Sequence, residues 1–375
     1  MVLGSVQQIT AQNMVQNALP AWAMGGFVRP AFINPIISPK NSVFTDPILH
    51  KPIHWESNDT FNPGAGVFKD KILVLYRAED HSGIGIGFRT SRLGMATSLD
   101  GMHFTRRSLP VFFPGEDSVK KYEWPGGCED PRLAQAEDGR FWIYYTEWNR
   151  DLPRLGVAST LDFKHWKKYG PIFNHAYGGK FKNIANKSAS ILTYLKNGKQ
   201  VIRKTPKGYF MYWGEHHVYG ALSQDLIHWA PLLNKDSTLK ELMSPRPGFF
   251  DSDLTECGPP ALWTPKGILL FYNGKNRADT NRDSRFNADS YSAGQALFDA
   301  IDPEKFLNRL DIPFLRPREP FEKSGQYKNG TVFIEGMAYF KRKWFLYYGC
   351  ADSRVGVAIF DPKHPAKPDP IQDFK

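Results

Sequence analysis

LGMATSLDGMHF (residues 93–104), LGVASTLDFKHW (155–166) and YGALSQDLIHW (219–229) are copies of one pattern: a small-residue strand running into Ser/Thr, Asp and an aromatic. Looser copies, YSAGQALFD (291–299) and RVGVAIFD (354–361), bring the number to five. They recur about every 60 to 75 residues, longer than the roughly 40 to 50 of familiar propeller repeats. Ahead of each lies an aromatic and aliphatic strand: KILVLYRAED (71–80), RFWIYYTEWN (140–149), GYFMYWGEHH (208–217), GILLFYNGKN (267–276) and KWFLYYGCAD (343–352). Further upstream in each unit comes a third strand, in FNPGAGVF (61–68), EDPRLAQ (129–135), NKSASILT (186–193), ECGPPALW (256–263) and IEGMAYF (334–340). Gly, Pro and Asn/Asp clusters separate the runs, as short strands joined by turns require.

Radial repetition leaves sheets with short, protected edges, so the pattern predicts an all-β fold, a five-bladed β-propeller with one central channel. No stretch beyond the first thirty residues repeats apolar positions at the helical period. The expected organisation is an N-terminal extension over 1–33, a single propeller over 34–361 and a C-terminal tail over 362–375. With 375 residues, 41% hydrophobic and 14% aromatic, the chain can bury a large core, and 28 Pro with 32 Gly suit a turn-rich β protein. The net charge of +10 comes from scattered Lys and Arg, which read as a solvated surface, and nucleic acid is not an expected partner. Cys128, Cys257 and Cys350 form no closed disulfide set, match no zinc spacing and read as buried small residues. No apolar run is long enough to span a membrane, and this chain shows no signal peptide, which leaves compartment open between cytoplasm and a periplasmic or surface site reached by a trimmed leader. Oligomeric state is not legible.

Superimposing the five upstream strands places Asn62, Asp130, Lys187, Glu256 and Glu335 at the equivalent position, predicted to converge on one end of the channel. The middle strands place Arg77, Glu147, Glu215, Asn273 and Asp352 near their ends, at the rim of the same cavity. Carboxylates, amides and cations beside aromatics (Tyr76, Tyr145, Trp148, Trp213, Tyr272, Tyr291, Tyr348) suit sugar hydroxyls and ring faces, although most of these aromatics are expected to fill the wedges between sheets. Two carboxylates across a glycosidic bond can cleave it, one as acid and one as base to a water. Asp130, Glu215 and Glu256 are the catalytic candidates. His216 and His217 are neighbours on a strand and point to opposite faces, so neither metal nor cofactor is expected.

GGCEDPRL (126–133), with FNPGAGVF, ILVLYRAED, GILLFYNG, YSAGQALFD and LYYGCADSRVGVA, resembles glycoside hydrolase family 130 over residues 34–358. The resemblance implies a five-bladed propeller acting on β-mannosides, as an inverting phosphorylase or, in one branch, a hydrolase. It implies Asp130 as general acid, relaying its proton through a mannose hydroxyl, Asn62 and Arg77 as holders of the nonreducing mannose, Asp352 as a further sugar-binding carboxylate and Tyr291 as a lining residue. Arg92 and Glu335 complete the expected sugar-binding set. The family's phosphorylases grip phosphate with three basic residues; this chain keeps Lys187 at the first place but has Glu215 and Glu256 at the others. Two anions in place of two cations repel phosphate, whereas a carboxylate there can activate water. The expected activity is release of mannose from the nonreducing end of β-1,2-linked mannosides by an inverting hydrolase. A β-mannoside phosphorylase and a noncatalytic sugar-binding propeller are the alternatives.

Overall fold

The computed structural model describes residues 19–366; residues 1–18 and 367–375, which include the start of the expected extension and most of the expected C-terminal tail, lie outside the described residues. The all-β expectation holds: among the described residues the helical content is limited to Lys120–Glu123 and two short 3-10 turns.

Strand pairing follows the sequence repeat. Asp59–Phe68, Lys71–Glu79 and Ser91–Ser98 form one antiparallel meander. Gly127–Gln135, Phe141–Trp148, Arg154–Thr160 and Lys167–Pro171 form the second. In the third, Ala189–Lys196 pairs with Gly208–Trp213, then Val218–Ser223 and Trp229–Pro231. Leu254–Cys257 and Ala261–Thr264 both pair with Gly267–Lys275, which continues to Tyr291–Phe298 and Phe306–Arg309. Val332–Phe340, Lys343–Cys350 and Arg354–Phe360 close the series.

Apolar faces of consecutive meanders bury against each other. Leu75 and Leu93 meet Leu133 and Ile143. Tyr144 and Val157 meet Ile191 and Met211, and Leu192 and Phe210 meet Ile268 and Leu270. Leu269 and Phe271 meet Val332 and Leu346. Finally Val74 and Ala65 meet Tyr347 and Val357, joining the last meander to the first. Upstream strands also touch backbone to backbone: a Cβ at Gly64 would lie 2.4 Å from the Pro131 carbonyl oxygen, and one at Gly336 2.4 Å from that of Pro63. Only glycine permits such an approach.

The last meander has three strands of its own, and the N-terminal segment covers its outer edge. Val28 pairs with Ile359 and Ile37 with Val355, Phe27 is buried in the core shared by the last two meanders, and Arg29 pairs with Glu322 at 2.7 Å.

The quoted signature is structural. In its turn Asp100, Asp162 and Asp225 each accept two backbone N–H bonds and face a His Nδ1 at 2.7 Å. In three of the five copies its glycine is the seat of a tyrosine: a Cβ at Gly94, Gly294 or Gly356 would lie within 2.5 Å of the ring of Tyr76, Tyr272 or Tyr348, whereas Gly156 makes room for Glu147 and Gly220 for Leu232. These tyrosines and Tyr145 each donate to a buried carboxylate, Tyr76 to Glu56 (2.7 Å), Tyr145 to Glu123 (2.7 Å), Tyr272 to Asp251 (2.8 Å) and Tyr348 to Glu322 (2.8 Å). A base neutralises every one: Arg106, Lys168, Arg246 and Arg29 respectively. Buried charge is tolerable only when paired in this way.

Candidate active site

Three upstream strands reach the channel with a β-bulge. Register slips between Phe61 and Pro63, between Glu129 and Arg132, and between Ile334 and Gly336. Asn62 (φ 44°) and Asp130 (φ 49°) occupy the left-handed region at the first two. Such conformations cost energy and re-aim side chains. Here they turn both residues into a cavity of about 220 Å³.

That cavity gathers Asn62, Arg77, Asp130, Lys187, Glu215, Glu256, Tyr291 and Asp352 from the expected set. Asn62 Nδ2 donates to Asp130 Oδ1 at 2.9 Å. Arg77 sits over the Phe61 ring and spends its donors on protein: Nη1 on Asp130 (3.1 Å), Nη2 on Glu129 (2.8 Å) and Glu79 (2.7 Å), Nε on Ser91 (3.0 Å). Four of its five N–H groups are thus engaged by neighbouring protein groups, Asp130 among them, while Arg77 itself lines the cavity. Burial pushes the Asp130 carboxyl up, but Arg77, Lys187, Arg132 and the Asn62 hydrogen bond outweigh burial and hold it down at about 2. Its neighbour Glu129 moves the other way, raised to about 7 by burial and by the charges of Asp130 and Glu79 against Arg77. Asp352 is raised to about 8 by burial, with Asp130 and Glu79 opposing Arg77.

Across the cavity Lys187 Nζ lies 2.8 Å from Glu215 Oε1 and 3.8 Å from Glu256 Oε1. Glu256 also accepts from Ser188 Oγ. Glu215 is 36% exposed at its side chain and Lys187 overrides the cost of its burial, so it is held ionised below the usual carboxylate range. Glu256, fully buried, is raised to about 7 despite Lys187.

The structure corrects several expectations. Arg92 is outside the cavity, fully buried between Asp46 (2.5 Å) and Asp80 (2.8 Å), because the alternation of its strand turns it away from the channel. Glu335 sits at the third bulge but lies out of the cavity wall, paired with Arg132 at 3.1 Å. Of the predicted rim, Glu147 is buried against the Tyr145 hydroxyl (3.3 Å) and Asn273 bonds both backbone groups of Ile334. Tyr76, Tyr145, Trp213, Tyr272 and Tyr348 fill wedges; Tyr291 and Trp148 line the cavity. Glu129 and Tyr327 line it too and were missed. Strand alternation sets Glu129 on the face opposite Asp130, and only the bulge brings both inward. Tyr327, T-shaped to Tyr291 at 5.6 Å, lies in a connection without repeat signature.

A cavity of paired carboxylates and two cations on an all-β frame is the site of a carbohydrate-active protein in outline, and comparison with known proteins gives the family. The profile described as beta-1,4-mannooligosaccharide phosphorylase matches residues 32–364, and the chain belongs to glycoside hydrolase family 130. A 1,2-beta-oligomannan phosphorylase from Thermoanaerobacter sp. (strain X514) is 30% identical over 318 residues, 82% of this chain and 92% of the relative. A solved glycosyl hydrolase from Bacteroides ovatus is 61% identical with TM-score 0.92, covering 95% of this chain and 99% of that one. Another structure, 60% identical with TM-score 0.93 and the same coverage, is described in the words "The GH130 family of mannoside phosphorylases contains glycoside hydrolases that target beta-1,2 mannosidic linkages in Candida mannan".

Proposed function

We propose that this protein is an exo-acting, inverting hydrolase of β-1,2-linked mannosides, carried on a five-bladed β-propeller. Five successive meanders with an apolar cluster between each neighbouring pair support the blade count. The observation that carries the reaction type is Lys187, whose charge is answered by Glu215 and Glu256. Phosphate, near minus two at neutral pH, would have to enter beside two carboxylates sharing one cation. Water has no such barrier.

In this reading the nonreducing mannose lies between Asn62, Asp130 and Asp352. Asn62 Oδ1, Thr146 Oγ1 and Thr331 Oγ1 are buried polar atoms of the cavity without a protein partner, a feature that calls for a hydroxylated ligand. Glu215, already ionised, takes the proton of a water that Glu256 helps to hold, and the water attacks the anomeric carbon from the face opposite the leaving oxygen. Asp130 delivers the proton to that oxygen, directly or through a sugar hydroxyl. Asp130, held down at about 2, must take up a proton to act as acid; in this reading it receives it from Glu129, which is raised to about 7 and bonded to the same Arg77.

A phosphorylase is the second reading, favoured by the Thermoanaerobacter relative, a 1,2-beta-oligomannan phosphorylase. β-1,2-Mannobiose incubated with and without inorganic phosphate separates the two. Free mannose in the absence of phosphate is the expected result; mannose 1-phosphate formed only when phosphate is supplied would overturn the hydrolase.

A further inference from the structure

Beneath the cavity floor, outside its wall, lies Arg132, only 1% exposed. It stands two residues beyond Asp130, on the far side of the bulge. Its Nη1 donates to the Asp130 carbonyl oxygen at 2.9 Å and its Nη2 to that of Cys257 at 3.0 Å. Nη1 also lies 3.1 Å from Glu335 Oε1, and Nη2 4.0 Å from Glu256 Oε1. One guanidinium thus joins the second, fourth and last meanders. The connection continues through backbone: Cys257 N–H donates to the Gly214 carbonyl oxygen (3.1 Å) and Gly214 N–H to that of Lys187 (3.1 Å).

We propose that Arg132 is a positioning residue that sets the spacing and the charge of the two halves of the reaction, the Asp130 acid and the Glu215–Glu256 water site. This rests on the reading of those carboxylates given above. Two consequences of the geometry carry it. The bond from Arg132 to the carbonyl of Asp130 pins the left-handed backbone of the bulge, so the direction of the acid depends on it. The second Nη, fixed in the same plane, pins the residue after Glu256, and through Gly214 the backbone beside Glu215. Lysine has a single point of charge and cannot span both carbonyls. Arg132 also faces Asp130, Glu256 and Glu335 as a cation. Arg77 and Lys187 act on Asp130 from the cavity side, with Glu129, Glu79 and Asp352 opposing them, while Lys187, Glu215 and Ser188 face Glu256. Burial pushes the Glu335 carboxyl well up, toward its neutral form, so the charge of Arg132 is turned on Asp130 and Glu256.

The test compares wild type, Arg132→Lys and the double variant Arg132→Gln with Glu335→Gln, which removes the cation together with the buried carboxyl packed beneath it. Each is checked for folding by circular dichroism and thermal unfolding, then for kcat and KM on β-1,2-mannobiose across pH. A displacement of reacting groups by about 1 Å costs up to roughly 100-fold, so Arg132→Lys is expected to lose at least about ten-fold in kcat while KM moves less than about three-fold. The double variant is expected to lose as much, with its pH limbs moved to higher pH, because carboxyls that lose a neighbouring cation hold their protons more tightly. Either variant, folded, with wild-type kcat and a superimposable pH profile would overturn the proposal. If Arg132→Lys fails to fold, the double variant decides alone; if both fail to fold, Arg132 is a structural strut and the proposal is wrong. Wild type that cleaves no β-mannoside would instead overturn the underlying hydrolase reading.

Discussion

At the scale of single residues, the site separates its carboxylates by what surrounds each one. Asp130 and Glu215 are held down by cations, whereas Glu129, Glu256 and Asp352 are raised by burial and by one another. With Glu215 as base, activity persists into mildly acidic solution and is lost as pH rises through about 7, where Glu129 gives up the proton it passes to Asp130. If Glu256 were the base, activity would instead be lost as pH falls through about 7. The pH dependence of kcat/KM therefore assigns the base, and a profile dominated by loss on the acid side near neutrality would reassign it. Asp130→Asn is expected to lower kcat by about 10²–10⁴-fold, the usual contribution of a positioned acid, with thermal unfolding little changed; unchanged turnover would remove Asp130 from the mechanism. At this scale the sequence was informative about Asn62, Asp130, Lys187, Glu215, Glu256 and Asp352, since matched positions in a repeat converge. It failed for Arg92 and Glu335, because equivalence in the repeat does not distinguish a side chain in the wall from one packed behind it.

At the scale of elements, the strands and their order were legible and the bulges were not. A bulge adds a residue without altering composition or hydrophobic alternation, so nothing in EDPRLAQ announces that Glu129 and Asp130 both face inward. The reason for the signature glycines lies in another strand: at three copies Tyr76, Tyr272 and Tyr348 occupy the space where a side chain would stand. Gly94→Ala is accordingly expected to destabilise the fold by about 1–3 kcal/mol, the range for overpacking a tight core, in urea unfolding. Tyr272→Phe takes one hydrogen bond from the buried Asp251, which keeps Arg246 and Arg309 beside it, and is expected to cost about 1.5–3 kcal/mol, the range for a bond to a charged group. A neutral result at both positions would show that the tyrosine seats contribute nothing to stability.

At the scale of the whole molecule, the chain begins its described part on the element with which it ends. Val28 and Ile37 pair along the outer edge of Arg354–Phe360, and Phe27 and Arg29 fasten the same segment to the core and to Glu322. A chain starting at residue 39 leaves that strand edge open, and open edges associate. It is expected to melt at lower temperature and to aggregate; wild-type melting would show that the segment is dispensable. No signature in the first forty residues announced this role, because its pairing partner lies more than three hundred residues away. Continuity of the frame is what brings Asp130 from one meander into one cavity with Glu215 and Glu256 from two others, where water is proposed to react. The most direct test is proton NMR of β-1,2-mannobiose cleavage in phosphate-free buffer made with ¹⁸O-water, followed from the first turnovers. α-Mannose carrying ¹⁸O at its anomeric oxygen is expected as the first product. β-Mannose appearing first, or no cleavage until phosphate is added, would contradict the inverting hydrolase.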